Sequence, residues 1–363
     1  MKTRILIGFV IVIIWGTSSL FTGCKGKVKN KPLDNVYKRG IVVFPSDIIS
    51  VGTPKFLEFI HESNLNLLGI HANTISRNPT NTGFEDLTYL KAFLESKEGQ
   101  LLLDECEKQH IAIEYETHAL QEILPRELFD EHPEYFRMDE NGVRQKDHNM
   151  CFSSENAFLE IEKNIVEIVK WLKPTTHRYF FWTDDVNNTY CHCDLCKNYT
   201  GSEQTLLYEN RLLYILRKID PLATLAHLAY GSTLTAPVKV KPSDGIFLEY
   251  APSRSDYTKP LLEENIQNLE TNLQVFPKNT AHILEYWLDE SRFSGYRRNN
   301  LTKIPWNIQN FDRDIKSFYD LGITSVTCFG TWMICDDYLR KFGEESTSQV
   351  IIEYGSILKK YLE

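Results

Sequence analysis

The chain has no Gly-x-Ser-x-Gly segment, so the strand-to-helix elbow that presents a serine nucleophile is absent. Its first strand candidate ends Phe44-Pro45-Ser46-Asp47, without the His-x-His pair that a metal-dependent amidohydrolase barrel requires. No Pro/Gly/Ser-rich linker, internal repeat or low-complexity tract interrupts the 363 residues, so nothing marks a boundary between separately folding parts. Positive charge is also scarce. Forty Lys and Arg against 49 Asp and Glu give a formal net charge of -9, which argues against nucleic acid as a partner.

A membrane-spanning run is missing as well. The apolar stretch from Ile5 to Trp15 breaks at Gly16-Thr17-Ser18-Ser19, short of the roughly 20 residues that a spanning helix needs. Lys2 and Arg4 precede it and Leu20-Phe21-Thr22-Gly23-Cys24 follows, the order of a secretory signal ending in a lipobox. Residues 1–23 are therefore expected to be a lipoprotein signal peptide, with a diacylglycerol anchor on Cys24. Residues 24–36, with Lys25, Lys27, Lys29 and Lys31, form a short polar tether. The expectation is an exported protein held by lipid to the bacterial outer membrane, on its periplasmic or cell-surface face.

What remains, residues 37–363, alternates short β-branched or aromatic runs with segments of helical apolar spacing. Strands are predicted at Gly40–Phe44, Asn66–His71, Ile111–Glu116, Arg178–Thr183, Thr224–Tyr230, Gly245–Tyr250, Ala281–Trp287 and Ser325–Phe329. Helices are predicted at Pro54–Ser63, Leu87–Gln109, Ala157–Leu172, Leu206–Ile219, Leu261–Leu273, Phe311–Leu321 and Gln349–Leu362. Residues Thr233–Ser243 carry Pro237 and Pro242, so the fifth helix is weak or missing. Eight βα units predict a single α/β domain, a (β/α)8 TIM barrel; periodicity alone also admits an open doubly wound sheet.

In a barrel the functional face lies at the C-terminal strand ends. The sharpest signal there is Trp182-Thr183-Asp184-Asp185, a hydrophobic strand delivering two consecutive carboxylates. Neighbouring strand residues point to opposite faces, so the two share a pocket only where the chain bends. One of them could instead cap the following segment. Paired carboxylates are what glycoside hydrolysis requires: one protonates the leaving oxygen while the other stabilises or attacks the oxocarbenium-like carbon. Glu285 is the distant partner of choice, read against an ion pair within the barrel, and Glu249 is a weaker one. Trp182, Trp287 and Trp332 are sugar platforms or core residues. His71, His118, Tyr230, Tyr250 and Asn73 complete the polar strand ends.

Cys191, Cys193 and Cys196 follow in a C-x-C-x-x-C cluster, which suits a structural zinc site with Cys151 or His192 as the fourth ligand. Disulfides are the alternative. Seven cysteines besides Cys24 is an odd number, so intramolecular pairing leaves at least one over. No cofactor is required for catalysis in this reading. The Met138-Asp139-Glu140-Asn141-Gly142-Val143-Arg144 stretch predicts a small hairpin over the barrel mouth.

His118, the His132-Pro133-Glu134-Tyr135-Phe136 segment, Cys151, Asp184-Asp185 and the three clustered cysteines together resemble the bacterial domain of unknown function numbered 4838. That family is common in lipoproteins of polysaccharide-degrading Gram-negative bacteria and is related to the barrels of glycoside hydrolase families 20 and 67. The resemblance implies a (β/α)8 fold and an oligosaccharide or polysaccharide partner. Phe181-Trp182-Thr183-Asp184-Asp185 is also similar to the strand end of family 84 hexosaminidases, which implies that Asp184 orients the substrate and Asp185 protonates it. The His-x-Gly-Gly-Asp-Glu motif of family 20 is absent. A family 67-like arrangement would instead pair the fourth-strand acid with Glu285. A glycan-binding lipoprotein without activity is the competing expectation.

Overall fold

A computed structural model describes residues 39–72, 87–254 and 256–363. The signal segment, Cys24, the tether and Asn73 lie outside the described residues. The eight β-rich runs form eight parallel strands: β1 (Gly40–Val43), β2 (Leu67–His71), β3 (Ala112–Thr117), β4 (Arg178–Phe181), β5 (Thr224–Ala229), β6 (Ile246–Tyr250), β7 (His282–Glu285) and β8 (Val326–Cys328). They pair in chain order. Parallel bridges from Arg39 to Val326 and from Val42 to Phe329 bring β8 back onto β1, and the Gly330 N–H donates to the Val42 carbonyl at 2.8 Å. This is the (β/α)8 barrel, with helices packed around the ring. Among the described residues no helix is long and apolar enough to cross a membrane.

The link between β5 and β6 contains only a 3-10 turn, Gly231–Thr233, so the fifth helix is missing where Pro237 and Pro242 stand. The segment Leu87–Gln109 is two helices rather than one, Leu87–Glu95 and Lys97–Lys108. Ser96 divides them by capping the second, its hydroxyl accepting the Gly99 N–H at 3.1 Å. Likewise the helix Gly201–Leu216 starts five residues before its first predicted residue, Leu206, because Thr200 and Glu203 close a reciprocal capping box.

Strand side chains alternate between the barrel axis and the helices. Inward rows place Val42, Phe180, Trp182, Ala226, Leu228, Phe247, Leu284 and Phe329 in one axial cluster, while their strand neighbours join the larger core under the helices. The axis is also charged. Glu114 and Glu116 of β3, Arg178 of β4, Glu249 of β6 and His282 of β7 all lie inside the ring. Arg178 Nε sits 3.4 Å from Glu114, and its guanidinium lies over Phe180 and Phe247. Both ring nitrogens of His282 meet hydroxyls, Ser325 and Thr327, at 2.8 Å.

Glu116 has neither carboxyl oxygen hydrogen-bonded among the described residues, and a ligand atom of Glu249 lies within 4.8 Å of one of its own. The space it occupies exists because residue 69 is glycine: a Cβ there would stand 2.8 Å from Glu116 Oε1 and 2.9 Å from Val42. Burial raises the Glu116 carboxyl well above its usual range, and the charges of Glu249 and Glu114 add to this. Burial likewise pushes Glu249 up to about 8. One guanidinium faces three carboxyls here, so Glu249 keeps its proton at neutral pH and Glu116 holds its own above the usual carboxyl range.

The folded chain therefore binds more protons than the unfolded one between the ordinary carboxyl range and about pH 8. Stability from this cluster is complete below that range and is lost as pH rises through it, by at most about 1.4 kcal/mol per pH unit for each carboxyl. Urea unfolding between about pH 6 and about pH 9 is expected to show this decline, and Glu116→Gln to make it shallower. Identical slopes in the two proteins would mean that Glu116 ionises freely inside the fold.

Candidate functional site

At the C-terminal end of the ring the inward rows finish in rings. Trp182 caps the charged axis, its indole N–H donating to Glu249 Oε2 at 2.8 Å. His71 and His118 flank it with ring centroids 5.8 and 4.9 Å away. Phe329 meets His71 edge-on at 5.2 Å and stacks on Tyr286 at 5.3 Å. The result is a continuous aromatic floor at the barrel mouth. His71 Nδ1 lies 2.6 Å from the Glu116 carbonyl and His118 Nδ1 2.5 Å from the Thr183 carbonyl. A carbonyl only accepts, so both rings carry the proton on Nδ1, which leaves Nε2 the acceptor of the neutral ring.

Beyond the floor the two aspartates part company. Asp184 is buried: Oδ2 accepts from the Arg126 guanidinium and from the Asn149 N–H at 2.5 Å, while its own N–H donates to Asn149 Oδ1 at 3.1 Å. It ties the end of β4 to the long β3–β4 connection. Asp185 is exposed and makes no hydrogen bond or ion pair with a described residue. It lines a narrow cleft with His118, Trp182, Asn187, Tyr190 and Tyr230. Burial first, then the Asp185 charge, pushes the Tyr230 hydroxyl up to about 12, so it stays a donor. Arg292 closes this side, its guanidinium over Tyr286 and donating to Ser253 Oγ at 3.0 Å.

The expectation that Glu285 converges with these aspartates is corrected by the register of β7. His282 and Leu284 face the axis, so Glu285 faces the helices. There it is fully buried, 3.3 Å from Arg254 Nη2, and accepts the Tyr257 hydroxyl at 2.9 Å. Arg254 in turn pairs with Asp314 of the helix Ile308–Asp320 at 2.8 Å. Burial pushes the Glu285 carboxyl up to about 7 even so, against the pull of Arg254.

The same parity removes Tyr250 and Trp287 from the predicted substrate contacts, and the turn after β8 removes Trp332. Tyr250 is buried under the helices with its hydroxyl on the Asn265 carbonyl at 2.7 Å. Trp287 packs on Phe311, ring to ring at 4.7 Å, and Trp332 belongs to the same helix-side core. Trp332 stands in the left-handed region at φ 62°, its N–H held by the buried Asp47 at 3.1 Å. Glu249 is inside the ring but sealed beneath Trp182, so it touches no solvent. Tyr286, expected beside Glu285 as a surface for a pyranose face, is at the mouth, whereas Phe329, Arg126 and Arg292 are groups there that sequence reasoning left without a role. Phe329 was available by counting two residues along β8 from Thr327.

The predicted hairpin is present, with Met138 and Arg144 bridged antiparallel and Gly142 at φ 80° in its turn. It lies against four buried cysteines, Cys151, Cys191, Cys193 and Cys196, whose sulfurs are all within 4.8 Å of one another. His192 is exposed and stands apart from them, 4.0 Å from Glu140.

A family described as Domain of unknown function (DUF4838) matches residues 72–342. No curated protein matches the chain by sequence. Among solved structures, a cold-adapted β-galactosidase from Rahnella sp. R3 is similar with a TM-score of 0.51 at 11% identity, over 90% of this chain and 57% of that one. A family 20 glycoside hydrolase module of the pneumococcal exo-β-D-N-acetylglucosaminidase is similar with a TM-score of 0.50 at 10% identity, over 91% of this chain and 87% of that one. The chain thus spans little more than half of the β-galactosidase. At these identities the likeness establishes a glycoside hydrolase-like barrel as the fold.

Arg254→Met removes the guanidinium shared by Glu285 and Asp314 and is expected to cost about 3–5 kcal/mol in urea unfolding. Glu285→Gln is expected to lower stability while leaving ligand binding by the folded fraction unchanged. Lost binding with intact stability would return Glu285 to the mouth.

Proposed function

The chain belongs to the DUF4838 family, and we propose that it takes the end of a carbohydrate chain at the barrel mouth and hydrolyses a glycosidic bond there, with Asp185 as proton donor. One observation carries this reading: an exposed strand-end carboxylate beside an aromatic floor of Trp182, His118, Tyr230 and Tyr286. Pyranose C–H faces pack on such rings, and the Tyr230 hydroxyl and the two imidazoles are suited to sugar hydroxyls. Asp184 holds the loop that carries its neighbour, so its role is to position Asp185. Glu285 is turned to the helices, and the other carboxyls lining the cleft are engaged, Asp184 with Arg126 and Glu209 with His227, so Asp185 is the acid left open to a ligand. The arrangement therefore favours a mechanism in which the substrate's own 2-acetamido group attacks the anomeric carbon while Asp185 protonates the leaving oxygen. The similarity to a family 20 module accords with that choice.

A non-catalytic glycan-binding role is the second reading. It is favoured by the ion pairs that occupy Asp184 and Glu285, leaving one exposed acid where hydrolases commonly use two. In either case we place the protein outside the inner membrane, anchored through Cys24 to the outer membrane.

Incubation with N-acetylhexosaminides and a panel of neutral oligosaccharides, with products read by mass spectrometry and binding by calorimetry, separates these readings. Hydrolysis should fall about 10²–10⁴-fold in Asp185→Asn, with binding retained. Equal turnover in that variant would remove Asp185 from the chemistry, and binding by the wild type without products would establish the second reading. For the anchor, the full-length protein should partition into detergent and Cys24→Ser into the aqueous phase; aqueous wild type would refute lipidation.

A further inference from the structure

We infer that Cys151, Cys191, Cys193 and Cys196 bind one zinc ion as a closed, all-thiolate site that fixes the rim of the barrel mouth. The four sulfurs are buried and mutually within 4.8 Å, and Cys151 Sγ is 3.7 Å from Cys193 Sγ. Tetrahedral zinc with Zn–S bonds of about 2.3 Å sets its sulfurs about 3.8 Å apart. A disulfide needs about 2.05 Å. Three sulfurs come from one short loop at C-x-C-x-x-C spacing, and the fourth arrives from 40 residues upstream of Cys191, so the group is assembled by the fold rather than by local sequence alone.

What surrounds the sulfurs suits thiolates. Cys191 Sγ receives the N–H groups of Met138, at 3.4 Å, and of Cys193. The Ser153 hydroxyl lies 3.3 Å from Cys151, 3.4 Å from Cys196 and 3.7 Å from Cys193. Arg144 brings a cation to 3.9 Å from Cys191. Four thiolates on Zn²⁺ carry a net double negative charge, which these donors and the guanidinium offset. Sulfur ligands select zinc over magnesium or calcium, and four of them leave no position for water, so the ion is structural. Binding releases the four thiol protons to solvent.

The connection matters for the mouth. Cys151 sits in the β3–β4 link and the other three follow β4, directly after the segment Asp185–Tyr190. The ion would join those two loops, and the His192 N–H to the Met138 carbonyl, at 2.7 Å, ties the hairpin to the same point. This inference does not depend on the reaction proposed above.

Protein purified without a polyhistidine tag or added metal is measured by elemental mass spectrometry and X-ray absorption. The expected result is one zinc per chain with four sulfur neighbours at about 2.3 Å, unchanged in His192→Ala. Cys193→Ser is expected to lose zinc at least tenfold more readily to a chelator. A nitrogen in the shell, a metal-free protein with four free thiols, or a disulfide among the four would each overturn the assignment.

Discussion

Each residue of a barrel strand faces either the axis or the helices, and this two-residue alternation decides which groups reach the mouth. Along β7 the order is His282 in, Glu285 out; along β6 it is Glu249 in, Tyr250 out. A carboxylate one position from the rim can therefore be entirely outside the site. Closing the ring makes the choice binding, since moving Glu285 to the axis would turn Ile283 inward and Leu284 and Tyr286 into the helix layer, undoing both cores at once.

The charged axis follows from the same constraint. Three glutamates and one arginine inside the ring are costly to desolvate, and they are tolerated because protons and hydroxyls balance what Arg178 does not. Trp182 joins this interior to the surface. Its indole N–H is used by Glu249 below, its edges are packed by His71 and His118, and only its upper rim meets the cleft. Trp182 is thus a lid on the buried charges as much as a floor for a ligand, and a ligand resting there lies one side chain away from a group that still holds its proton at neutral pH.

Most of the fold was legible in the sequence because its signals are local. All eight strands follow from β-branched and aromatic runs, and the missing fifth helix follows from Pro237 and Pro242. The break at Ser96 was also local in origin, but its serine cap hides within an apolar periodicity that reads as continuous. The site was legible only in part. Strand ends identified His71, His118, Trp182, Tyr230 and Asp185, whereas Glu285, Trp287 and Tyr250 were chosen for residue type, without the parity that sends them elsewhere, and Trp332 without the turn that folds it into the helix-side core. Arg126 was out of reach for a different reason: its pairing with Asp184 spans 58 residues and depends on how a long loop folds back.

That loop explains why two adjacent aspartates have opposite fates. A buried carboxylate needs a cation and amide donors, and the β3–β4 connection supplies them to Asp184 through Arg126 and the Asn149 N–H. Asn149 completes the clasp from its other side, donating its side-chain amide to the Thr189 carbonyl and hydroxyl at 3.0 and 2.9 Å. The segment between, Asp185 to Asn188, is consequently held at both ends while its own side chains stay in solvent. The consecutive pair thus divides into a buried anchor, Asp184, and an exposed carboxylate, Asp185, carried on the segment that the anchor holds.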